Sequence, residues 1–181
     1  KDHEFVQSIR QEVEQLQKRL IELGYLELDE TTQKYGPATE DAVRRFQRQI
    51  NFTPALGITL DEDGIAGLKT QELIYGETAP KYCVVFGMEG SDITELQEQL
   101  KDLGYMSVVT GYYGETTVAA LKSFQSENDL SADGMCGPKT LSMLYSDDAK
   151  ESPNKRKEAR TRANIDKMIS TAKDQLGEPY I

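Results

Sequence analysis

At 181 residues with a formal net charge of −10, the chain exceeds one minimal domain and suits two units of about 70 residues with a tail. The charge is uneven: residues 150–181 hold eight Lys and Arg against five carboxylates, a net of +3, which leaves −13 on residues 1–149. So acidic a surface speaks against nucleic acid, whose phosphates require a basic face, and no apolar run approaches the length of a transmembrane helix.

Phe5, Ile9, Val13, Leu16, Leu20 and Leu23 step by three or four, the spacing of one buried stripe on a first helix. Gly24 ends it, since glycine tolerates a left-handed backbone at a helix C-terminus. Gly36-Pro37 opens a second helix, with proline in the first turn where its missing N–H costs nothing, and Ala42, Val43, Phe46 and Ile50 form its buried face. Residues 48–62 read as a longer loop, Asp61-Glu62-Asp63-Gly64 as a turn, and Gly67 as the start of a third helix anchored by Leu73 and Ile74.

The same order then recurs. Leu16-Gln17, Leu20 and Leu23-Gly24-Tyr25 return as Leu96-Gln97, Leu100 and Leu103-Gly104-Tyr105. Tyr35-Gly36 with Phe46-Gln47 returns as Tyr113-Gly114 with Phe124-Gln125, and Asp63-Gly64 with Thr70 as Asp133-Gly134 with Thr140. Self-similarity of this extent means one folding unit used twice. The expected architecture is all-α: two similar three-helix bundles in tandem over 1–79 and 80–148, a charged linker over 149–164 whose composition also suits a solvated helix, and a C-terminal helix within 165–181. Ile165, Met168, Ile169, Ala172 and Leu176 make that last helix apolar on one side, a stripe expected to seek cover on a repeat or on a second copy of the chain, making a homo-oligomer.

The repeated order, LQxxLxxLGY, then YGxxT, then FQ, then DGxxGxxT, resembles the bacterial peptidoglycan-binding module of cell-wall hydrolases, over roughly residues 5–75 and 85–145. Gly87-Met88-Glu89-Gly90 before the second repeat matches the turn with which that family opens, whereas the first repeat has Gln7 and Arg10 in place of those glycines. The resemblance implies a non-catalytic, secreted, wall-associated region that docks a hydrolase on peptidoglycan, through a glycan strand or a stem peptide. Ile165-Asp166-Lys167-Met168-Ile169 with Leu176-Gly177-Glu178-Pro179-Tyr180 is similar to the opening helix of NlpC-type cysteine peptidases of the wall, which implies a parent endopeptidase. The segment that carries that family's nucleophile is absent from these 181 residues.

Little in the chain can do chemistry. A cysteine nucleophile needs a neighbouring base, and the single histidine, His3, reads as a solvated terminal residue. Cys83 and Cys136 read as semi-buried thiols, with a disulfide between them as the alternative. Pro80-Lys81-Tyr82-Cys83 resembles the cysteine switch of zinc-protease propeptides, but Val84 stands where that motif has glycine, and there is no cluster of zinc ligands. The Asp61–Asp63 acids lack the spacing of a calcium loop. No catalytic residue, metal or cofactor is expected.

Binding candidates come from what recurs. Thr39 and Thr140 read as hydrogen-bonding residues near helix starts. Gln47 and Gln125 either lock the next element or touch ligand. Tyr25 and Tyr105 read as contacts at the helix end. Tyr35 and Tyr113 precede the second helices, where a phenol can stack on a sugar or bond a carboxylate, and Gly36 and Gly114 beside them offer helix N–H groups to an anion. The expected site is therefore Tyr35, Gly36, Gln47, Tyr113, Gly114 and Gln125. The alternative function is a protein-interaction or inhibitory prodomain-like module that uses the same fold without glycan.

Overall fold

A computed structural model describes residues 2–176, which form seven α-helices; among the described residues there is no strand beyond two isolated bridges. They are α1 (Asp2–Leu23), α2 (Pro37–Asn51), α3 (Leu68–Tyr75), α4 (Ser91–Asp102), α5 (Glu115–Glu127), α6 (Pro138–Leu144) and α7 (Pro153–Leu176), with a 3₁₀ turn at Pro54–Leu56. The side chain of His3, and Gly177 to Ile181 of the peptidase-like stretch, lie outside the described residues. No described helix is long and apolar enough to cross a membrane.

The chain divides into two compact units: residues 1–88 with 136–139, and residues 89–135 with 140–181. In the first, α1 packs on α2 and α3. Leu16, Leu20 and Leu23 of α1 meet Ala42, Val43, Phe46 and Ile50 of α2 and Ile74 of α3 in the core, as their spacing predicts. Phe5 and Ile9 do not join them, being 66% and 43% exposed. Residues 4–12 of α1 are exposed throughout, so the first part of its apolar stripe stays outside the core. The loop expected from residue 48 also starts late, because Gln49 and Ile50 are buried and carry α2 on to Asn51.

In the second unit α4 packs on α5, and Ile93, Leu96, Leu100, Leu121, Phe124 and Leu144 are sealed from solvent. Over the stretch read as a linker or a solvated helix, Pro153 opens α7, which runs without a break through residues 165–176. Only its start is held. Ser152 N–H donates to Leu103 O at 2.8 Å, Arg156 pairs with Glu127, and Lys155 Nζ donates to Asp102 O. Beyond that turn the helix is exposed on every face, with Ile165, Met168, Ile169 and Leu176 between 48% and 87% accessible. Its apolar stripe is not covered by either repeat.

Both units close in the same way. Tyr82 N–H donates to Leu23 O at 2.8 Å, the counterpart of the Ser152–Leu103 bond. Tyr25 Oη donates to Pro80 O and Tyr105 Oη to Lys150 O, at 2.9 and 2.8 Å, while their rings pack edge-on against Phe46 and Phe124. The segment leaving the third helix is thus pinned to the end of the first. Both tyrosines make the contact at the helix end read from the sequence. Cys83 and Cys136 are not joined in a disulfide. Val84 and Cys136 exchange both backbone hydrogen bonds, and successive side chains of an extended segment point to opposite faces, so the Cys83 side chain is turned away from the face that Val84 shares with Cys136.

Candidate functional site

Four buried glutamines build the framework around any site. Gln17 Nε2 donates to Thr32 Oγ1, Lys34 O and Thr39 Oγ1, and its Oε1 accepts the Thr32 N–H, which folds the loop between α1 and α2 onto α1. Gln97 repeats this with Thr110, Tyr112 and Thr117. Gln47 Nε2 donates to Asp63 Oδ1 and Ile65 O while its Oε1 accepts the Gly64 N–H at 2.9 Å. Gln125 does the same with Asp133, Met135 and Gly134. Asp63 is held below the usual carboxylate range, first by the Ile65 N–H it accepts and then by Gln47. Thr39 and Thr140, just inside α2 and α6, accept from these amides.

Of the two readings of Gln47 and Gln125, this geometry carries the structural one. They are 2% and 1% exposed and their amides are engaged within the turn, so neither has a group to offer a ligand. Tyr113 is buried as well. It is 0% exposed and donates from Oη to Gly134 O at 3.0 Å, deep in the second unit. Gly114 and Gly36 are the N-caps of α5 and α2, and each N–H is already donated to the carbonyl two residues before it. Pro37 and Glu115 follow them, the first adding no N–H and the second a carboxylate at the helix start. Neither corner is a ready anion site.

Of the four side chains among the six, Tyr35 alone stands at an open surface. It is 41% exposed, and its Oη donates to Gly64 O at 2.6 Å. Partial burial pushes this phenol up from its ordinary value. Its ring lies on a groove of about 510 Å³ in the first unit, a volume typical of ligand sites. α1 forms one wall with Ile9, Glu12 and Gln15, and Tyr75 and Gln71 of α3 form the other. Ile65 and Ala66, from the turn that Gln47 braces, close one end. The Tyr75 phenol is also raised, by burial first and by the Glu12 carboxylate second. Sequence reasoning missed Ile9 by assigning it to the core and Ile65 by treating its turn as a connector. A branched aliphatic directly after an Asp-Gly turn, 65% exposed, is the signal that was available.

The second repeat does not reproduce this groove. The residues that match Tyr35, Glu12 and Ala66 are Tyr113, Asp92 and Cys136, all buried. α4 begins at Ser91, the match of Gln11, so the helical wall that carries Ile9 has no equivalent.

Comparison with known proteins bears on the two repeats as a whole. The family model of a peptidoglycan binding domain matches residues 10–74 and 89–144. The N-acetylmuramoyl-L-alanine amidase CwlM of Mycobacterium tuberculosis is 39% identical over 113 residues, covering 59% of this chain and 26% of the relative. The N-acetylmuramoyl-L-alanine amidase CwlL of Bacillus licheniformis is 30% identical over 165 residues, 74% of this chain and 42% of the relative. A spore cortex-lytic enzyme of Bacillus cereus is 44% identical over 59 residues, 32% of this chain and 23% of the relative. The chain therefore spans less than half the length of each of these relatives. With both repeats matched, over more than half of its length, the chain belongs to the peptidoglycan-binding domain family.

Proposed function

We propose that this region holds a cell-wall hydrolase on peptidoglycan outside the membrane, and that the groove of the first unit is where the polymer sits. The single observation that carries this reading is that Tyr35 and Tyr75, both exposed, line one groove together with Val13 and Leu16. Aromatic faces that are not needed by the core, set across a groove with a few polar side chains, are what sugar rings and short peptides pack on.

The enzyme so anchored cleaves amide bonds in the wall. The relatives named as amidases support one form of this, and the likeness of the stretch from Ile165 to an NlpC-type peptidase supports the other. The test is co-sedimentation of the 181-residue chain with insoluble peptidoglycan. Replacing Tyr35 and Tyr75 together by Ala removes two stacking faces, each worth about 0.5–1.5 kcal/mol, and is expected to weaken retention at least about fivefold with unchanged circular dichroism. Full retention by the double variant would move the site off this groove. No retention by the native chain would favour the protein-interaction reading of the fold.

A further inference from the structure

We infer that the first-unit groove selects the free amine at the end of a stem-peptide diamino side chain, with Glu12 as its counter-ion and the side chain's methylenes laid along Ile9 and Tyr75. This deepens the proposed function and rests on that groove being the wall contact.

The charge of the groove points this way. Among the described residues Glu12 is the one charged side chain that lines it; every other is apolar, a phenol or an amide. Two arginines of the same unit are turned to other uses. Arg19 donates from Nε to Ile74 O and from Nη2 to Gly76 O, and pairs through Nη1 with Glu22. Arg44 pairs with Glu40 across the Gly64 turn. A ligand carboxylate would thus meet Glu12 with no cation lining the groove to offset it, whereas an ammonium finds an exposed carboxylate and two phenol faces that attract cations.

The apolar walls settle which amine. Ile9 is 43% exposed and Tyr75 47%, and an amine on an alkyl stem can cover both while its head stays wet beside Glu12, as amphipathic side chains do. An amine set directly on a sugar ring has no such stem. The second repeat cannot share the role, since Asp92, which matches Glu12, is buried.

The test is calorimetric titration of the full chain with a soluble, uncrosslinked disaccharide–peptide whose side-chain amine is free, and with the same molecule acetylated on that amine. An ion pair open to solvent contributes little, so the free amine is expected to bind about three- to fivefold more tightly. Glu12→Gln is expected to abolish that gap, and 1 M salt to narrow it in the native chain. Equal affinity for the two forms would overturn the inference and leave the proposed function standing. So would a de-N-acetylated glycan fragment without peptide that binds as tightly as the free-amine ligand. Failure of the native chain to bind either peptide form, with Tyr35 and Tyr75 also indifferent in sedimentation, would overturn the inference and the groove together.

Discussion

A side-chain amide sealed inside a protein must satisfy both its donors and its acceptor, and Gln125 does so with a single Asp-Gly turn. Truncating it leaves the Gly134 N–H and the Met135 carbonyl buried or half-buried without that partner. Such unpaired groups cost about 1–3 kcal/mol, so Gln125→Ala is expected to lower unfolding free energy by about 2–3 kcal/mol in urea titration. Tyr113→Phe removes one buried hydrogen bond, to Gly134 O. It should cost about 1 kcal/mol and leave retention on peptidoglycan unchanged, in contrast to Tyr35 across the repeat. The phenols also set a pH dependence. Tyr105 is pushed up to about 12, chiefly by burial, against an ordinary value near 10. Between those two values the unfolded chain gives up the proton and the folded one keeps it, so stability is complete below about pH 10 and falls as pH rises toward 12. Melting temperatures taken from pH 9 to 11.5 are expected to fall less steeply in Tyr105→Phe than in the native chain.

Helices whose whole apolar face is used were plain in the sequence. Ala42, Val43, Phe46 and Ile50, or Leu96 and Leu100, have partners at matching height, and the 3.6-residue period reports this directly. The ends were less legible because a period says what a face can bury and not how far its partner reaches. Ile9 fits the stripe of α1 yet stays exposed outside the core, and that leftover apolar surface becomes a groove wall. The charged stretch over 153–163 suits a linker or a solvated helix by composition; it is helical from Pro153 and starts on contacts with Leu103 and Glu127 that lie far off in sequence. Gly24 and Gly104 test those contacts. Both have φ near +84°, but a methyl at Gly104 would stand 2.8 Å from Ser152 Oγ and 2.9 Å from Lys155 Cβ, whereas at Gly24 the nearest atom is Tyr82 Cβ at 3.6 Å. Each Gly→Ala change carries the backbone penalty of about 1 kcal/mol. Gly104→Ala is expected to cost measurably more, seen as the larger shift in urea midpoint.

Across the whole molecule the two repeats share their glutamine locks, capping tyrosines and core, and differ where the first keeps a surface open. Sequence alone pairs Tyr35 with Tyr113 as equals, because identity at a matched position carries no record of what covers it. A quite different consequence follows for anyone wishing to move these modules between proteins. The family match ends at residues 74 and 144, short of Pro80 and Tyr82 in one unit and of Lys150 and Ser152 in the other. A graft cut at those limits would leave Tyr25 or Tyr105 with its hydroxyl unmet and its ring half uncovered. A chain ended at Asp148 is therefore expected to melt well below one ended at Arg162, while the latter matches the full chain, since residues 163–176 touch solvent on every side. The transferable part is the fold with the few residues that lead out of it.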